Sequence, residues 1–175
     1  MTFDKRPAMT FDEVVFACHG DQVLPLLADP SEDESRLLSR WRYQKNHATL
    51  HTDTDITPPL KRAWATWTYI RERDATRSLP VCLTYNVNRL QGLDTPTSYF
   101  VTFNRVRPIP QHHIVKEIFY THPTFTPEAL ETQKDLPSLN GVNNTYFCGS
   151  YFGNGFHEAA VQSGVAVAKY FGMDL

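Results

Sequence analysis

Apolar positions change their period twice along the chain, and each change marks a new kind of element. Val14-Val15-Phe16-Ala17-Cys18 is a continuous apolar run behind Asp12 and Glu13, the pattern of a strand buried on both faces. Such a strand needs neighbours and covering layers. The residues ahead of it supply few, which predicts a missing companion segment. Val23, Leu24, Leu26 and Leu27 then suggest a short helix in which Pro25 is tolerated only in a first turn. A second helix is expected from Ser31, whose hydroxyl suits an N-cap, with Glu32, Asp33 and Glu34 in its first turn. Leu37, Leu38 and Trp41 form its apolar face.

From Tyr43 the period drops towards two. Asn46 to Asp53 alternates loosely, and Lys61 to Arg71 sets Trp67 and Tyr69 against Trp64, Thr66 and Thr68. Pro80 to Leu90 sets Val81, Leu83, Tyr85 and Val87 against Cys82, Thr84, Asn86 and Asn88. Ser98 to Asn104 and His113 to His122 alternate likewise. Turn clusters at Thr57-Pro58-Pro59, Arg73-Asp74-Ala75, Gly92 to Pro96 and Pro108-Ile109-Pro110 separate these runs. The pattern predicts a mostly antiparallel sheet of about five strands with one face polar or ligand-facing.

Helical signals return at Thr126-Pro127-Glu128, with Thr126 as N-cap, Pro127 at the first helical position and Pro137 as the stop. Asn144 to Gly149 reads as a strand and Ser150 to Phe156 as a glycine-bearing turn. A helix follows from about His157 to Tyr170, with Ala159, Ala160, Ser163, Gly164, Ala166, Val167 and Ala168 on its inner side. A glycine turn opening a helix presents unpaired N–H groups at a positive dipole end, which suits a phosphate or an electron-rich ring oxygen. Tight αβ packing uses glycines in the same way.

Composition narrows the classes. Of the residues, 41% are hydrophobic and 21% charged, as in an ordinary globular protein. Aromatic residues make up 13%, enough for a ring-built core or a flat-ligand site. A net charge of −2 with no basic stripe gives no support for a nucleic-acid or anionic-membrane partner. The first ten residues carry Asp4, Lys5 and Arg6 without an apolar core, so no signal peptide is expected. No run reaches the roughly 18 apolar residues of a membrane span. A cytoplasmic protein is the expectation. Cys18, Cys82 and Cys148 are odd in number and far apart, suggesting neither a zinc cage nor a disulfide framework. His47 and His51 with Asp53 and Asp55 pose a metal alternative, weakened because the stretch reads as a strand rather than a helix. His112-His113 reads as a surface turn. His157-Glu158 fails as an acid–base pair because neighbours on a helix point apart. No Gly-x-Ser-x-Gly marks a hydrolase elbow.

The segment Tyr146-Phe147-Cys148-Gly149-Ser150, then Gly153-Asn154-Gly155-Phe156-His157-Glu158-Ala159, then Gln162-Ser163-Gly164-Val165-Ala166-Val167-Ala168, resembles the C-terminal FAD motif of flavin-containing amine oxidoreductases. The resemblance is narrower to a branch of predicted NAD/FAD-binding proteins. It continues at Val14 to Gln22, Leu50 to Asp53, Arg62 to Trp67 and Leu83 to Gln91, so it spans almost the whole chain. It implies an α+β fold: a partial FAD/NAD(P)-binding domain of glutathione-reductase-like type at 1–42 and 123–175, interrupted by a substrate-domain sheet at 43–122. By the same resemblance Ala17, Cys18, Gly149, Ser150, Gly155, Phe156, His157 and Ala159 contact FAD, while no catalytic residue and no metal ligand is implied. Ser150 stands where many relatives carry an acid. None of the eight glycines forms Gly-x-Gly-x-x-Gly, the dinucleotide fingerprint. The implied activity is hydride transfer between a small-molecule substrate and flavin, with a second chain supplying the N-terminal FAD-binding half. The alternative is a non-catalytic binding or assembly module that needs such a chain to hold FAD.

Overall fold

The computed structural model describes residues 9–71 and 82–173. The turn at Arg73-Asp74-Ala75, the strand positions Pro80 and Val81, the charged Asp4-Lys5-Arg6 and the last two residues lie outside the described residues. The chain packs as two units, 1–43 with 123–175, and 44–122. Those divisions fall at or within one residue of the points where the hydrophobic period changes.

The first unit is built on two parallel strands, β1 (Val14–Phe16) and β7 (Thr145–Phe147), in the register Val14 to Thr145, Val15 to Tyr146 and Phe16 to Phe147. Phe16 stacks on Phe147 on one face, where Val23, Leu37, Leu38, Trp41, Ala129, Leu136, Leu139 and Tyr151 complete a buried core. On the other face Tyr146 and Cys148 pack against Val167 of α5 (His157–Tyr170). β7 is therefore covered on both sides. β1 is not: Val14 is 41% and Val15 45% exposed, correcting the expectation of a strand buried on both faces. Its covering layers reach only Phe16, and Cys18 already lies in a bend.

The helices of this unit follow their local chemistry. α1 (Gly20–Val23) gives way at once to a 3-10 turn, Leu24–Leu26, which takes Pro25 in its first turn. α2 (Glu32–Leu38) opens with a full capping box: the Ser31 hydroxyl accepts the Glu34 N–H at 3.2 Å while the Glu34 carboxylate accepts the Ser31 N–H at 2.7 Å. Trp41 lies beyond its end yet is 1% exposed. α4 (Pro127–Gln133) has Thr126 as N-cap and Pro127 at its first position, as the sequence predicts. α5 begins and ends where the sequence places it. Ala166, expected on its inner side, is exposed, whereas Ser163 and Val167 are buried.

The second unit is a five-stranded sheet in the order β3-β4-β5-β2-β6, with β2 (Tyr43–His51), β3 (Trp67–Ile70), β4 (Cys82–Asn86), β5 (Phe100–Phe103) and β6 (Ile114–Pro123). The β3–β4, β4–β5 and β5–β2 pairs are antiparallel. Two expected strands are shorter than their alternation suggests. Lys61–Ala63 is a 3-10 turn, and Val87–Gln91 forms a short helix, α3. The Asn86 side chain accepts the Arg89 N–H and caps α3, and Gly92 ends it at φ 63°.

Register lines up Thr68, Thr84, Thr102 and Thr49 in one row across four strands. This polar face is the buried one: Thr49, His51, Thr84, Asn86 and Thr102 are each 5% exposed or less. The opposite face carries Trp67 and Tyr69, each 59% exposed. The usual polarity of a half-covered sheet is reversed here.

Candidate functional site

Seven of the residues singled out by the resemblance to flavoenzymes sit in the strand–turn–helix at 146–170 or beside it, and the reasons are local. Gly149 follows β7 at φ 154°, ψ 170°, a region essentially confined to glycine. A Cβ there would lie 2.7 Å from the Tyr151 ring and 3.3 Å from the Cys18 carbonyl, so Cys18 and Gly149 are close neighbours at the carboxyl ends of the parallel strands. Ser163 holds this point from α5. Its Oγ accepts the Gly149 N–H at 2.9 Å and lies 2.8 Å from the Ala160 carbonyl and 3.2 Å from that of Gly149.

The chain then makes a 3-10 turn, Ser150–Phe152, and the Gly155 N–H returns to the Ser150 carbonyl at 3.1 Å. A Cβ at Gly153 would sit 2.8 Å from that of Ala159, and one at Gly155, φ 83°, would sit 2.9 Å from the Phe125 ring. Gln133 of α4 ties the turn from outside by donating to the carbonyls of Tyr151 (3.0 Å) and Gly153 (2.6 Å). α5 starts after Phe156 with no side-chain cap, and its first backbone bond runs from Ala160 to Phe156. Its leading amides are thus left for another acceptor. Phe156, 71% exposed, and His157, exposed, stand at this end, and Ala17 is exposed after β1. Contacts join Cys18, Gly149, Ser150, Gly155 and Ala159 into one turn.

The thiols and phenols near this turn are held neutral. Burial raises the Cys18 thiol, with Asp21 adding to it, and burial followed by Cys18 raises Cys148. Burial raises Tyr43, whose phenol oxygen accepts the Gly20 N–H at 3.0 Å and whose ring stacks on His19 at 4.7 Å. Tyr151 is pushed up strongly by burial, and its hydroxyl makes no hydrogen bond. Neither thiol is an activated nucleophile.

A second polar constellation lies in the sheet unit, and its long-range partners have no local sequence signal. His51 Nε2 is 2.7 Å from the Thr102 hydroxyl, which is 2.8 Å from that of Thr84, and the Asp53 N–H donates to His51 Nδ1 at 3.2 Å. Asp53 in turn faces Arg105 Nη1 at 3.4 Å, both side chains under 10% exposed. His51 stacks on Phe100, against which Trp64 packs edge-on. Beside them Trp64, Ala65, Thr68, Thr84, Asn86 and Phe100 line a cleft with about 10 Å³ of interior space, room for one water. Asp53 lies against Arg105, while His47 lies 3.1 Å from Glu117. Among the described residues no group of His, Cys, Asp and Glu is arranged to hold a metal ion.

Burial first lowers His51 from 6.5 to about 4, and the Arg105 charge adds to the drop. His51 is therefore neutral at pH 7. Because the folded pKa lies below the unfolded one, its contribution to stability is complete above 6.5 and is lost as pH falls towards 4. The loss should total about 3 kcal/mol, at most ~1.4 kcal/mol per pH unit. Urea unfolding at pH 7 and pH 4.5 checks this. His51→Gln should lose that share of the pH dependence, and equal slopes for the two proteins would refute the assignment.

Neither the family models nor the curated proteins contain a match to this chain. Among the described residues no helix is long and apolar enough to cross a membrane.

Proposed function

We propose that this chain is the cofactor-closing portion of an FAD-dependent oxidoreductase of the amine-oxidase-like kind. In this reading it acts with a companion chain that carries the opening half of the FAD domain. The observation that carries it is the placement of Cys18, Gly149 and Ser150 at the carboxyl ends of two parallel strands, joined to the uncapped start of α5. Ligands of open parallel sheets bind beyond the carboxyl ends of the strands.

The residues present fit one end of the cofactor. The leading amides of α5 suit an electron-rich ring edge, Phe156 offers an exposed ring, and the Ser150 hydroxyl can hydrogen-bond the sugar-alcohol chain. Ser163 and Gln133 hold the turn rigid from two sides, which keeps those donors in place without any rearrangement on binding. FAD, when bound, supplies hydride chemistry that no side chain offers.

Titrating FAD into the purified chain tests the reading. The expected result for the chain without its companion is weak but saturable binding, seen as a rise in flavin fluorescence anisotropy, and weaker still for Phe156→Ala and Ser150→Ala. No change in anisotropy at the highest soluble protein concentration would count against a flavin site. One observation favours the second reading, a non-catalytic binding module: Trp67 and Tyr69 form an exposed aromatic strip on the sheet. That reading predicts a protein that stays colourless after FAD is added.

A further inference from the structure

We propose that this chain forms a two-fold dimer by pairing the edge of β1 left open among the described residues with the same edge of a second copy. The inference stands independently of the flavin reading.

The two edges of the β1–β7 pair are not alike. The outer edge of β7 is closed by its own chain: the Phe147 N–H donates to Asn140 Oδ1 at 2.6 Å, the Thr145 N–H to the Val142 carbonyl at 3.1 Å, and the Thr145 carbonyl accepts the Gly141 N–H at 3.0 Å. On β1 the Val14 N–H reaches the Asn144 carbonyl, and the Phe16 carbonyl accepts the Cys148 N–H. Val14 and Phe16 thus turn their backbone groups to β7. By the alternation of a strand, the N–H and C=O of Val15 point to the open side.

That edge is short and follows two acids, but it lacks other devices that discourage pairing. Residues 11–19 contain no Lys, Arg or Pro, and Phe11, Val14 and Val15 are 64%, 41% and 45% exposed.

A second copy fits the edge by symmetry and by charge. A two-fold axis at Val15 makes the pairing antiparallel, and the two Val15 residues then exchange both hydrogen bonds. Val14 falls opposite Phe16 of the partner subunit. Asp12 and Glu13, which precede the strand, fall at opposite ends of the resulting four-stranded sheet. A parallel in-register approach would instead stack these acids on one another.

Sedimentation velocity over a concentration series tests the proposal. The wild type should pass from one to two chain masses and stop there. Val15→Pro removes an N–H that the fold does not use, so it should keep the far-UV spectrum and melting temperature while weakening association by about tenfold or more. Val15→Lys should act in the same direction and decides the matter should the proline variant fail to fold. A wild type that stays monomeric, a ladder of ever larger species, or a folded Val15→Lys that associates as tightly as wild type would overturn the proposal.

Discussion

Replacing Gly149 with alanine should destabilise the chain by about 4 kcal/mol, a large share of the roughly 5–15 kcal/mol that holds a domain folded. Two costs coincide there. The backbone at φ 154°, ψ 170° suits essentially only glycine, which charges a side chain about 1–3 kcal/mol. The new Cβ would also meet the Tyr151 ring at 2.7 and 2.9 Å. Tyr151 is 1% exposed and locked among Trp41 and Phe152, so it has nowhere to go. Forced overpacking of this kind costs about 1–3 kcal/mol more. Gly92→Ala is the control, since its φ of 63° is unfavourable but open space surrounds it; about 1 kcal/mol is expected. The midpoints of urea unfolding measure both. In a Tyr151→Leu background the Gly149→Ala penalty should shrink towards its backbone share. A Gly149→Ala protein as stable as Gly92→Ala would show that the turn is looser than described.

This glycine also shows how much of the molecule could be read beforehand. Local signals carried through: the N-cap at Ser31, the Thr126-Pro127 start and the small-residue helix at 157–170 each depend on residues within a few positions of one another. The strand-to-helix turn was legible for the same reason. Three features were not. Asn86 reads as one more polar position of an alternating strand, but its side chain turns back to cap α3, and the alternation of Val87 and Asn88 misleads. Val14 and Val15 read as buried because apolar runs usually are, although burial depends on which layers exist to cover them. The threonine row was visible only as period-two polarity. Nothing local says that Thr84 lies beside Thr102, or that this polar face is the one turned inward. The positions of the turn after Gly149 are legible in the sequence, while the clamps that hold it, Gln133 and the Ser163 hydroxyl, act through contacts 14 to 20 residues away.

Removing the charge of Asp53 should be nearly as damaging as a side chain at Gly149. Asp53→Asn keeps the size of the side chain and its acceptor for the Asp55 N–H, but leaves the Arg105 guanidinium facing a neutral amide. Breaking one side of a buried ion pair costs about 3–5 kcal/mol, because the remaining charge stays desolvated. Asp53, read from the sequence beside His47 and His51 as a metal alternative, faces instead a cation 52 residues away. The exposed pair of Arg36 and Asp33, with side chains 55% and 66% accessible, provides the contrast. Asp33→Asn should change stability by less than about 0.5 kcal/mol. Pairing Asp53→Asn with Arg105→Met removes the cation facing that amide as well, so the double variant should recover part of the loss. Urea unfolding of the four proteins at pH 7, where His51 is neutral, isolates the effect from protonation. An additive double variant, no better than the sum of its parts, would mean that Asp53 and Arg105 do not depend on each other.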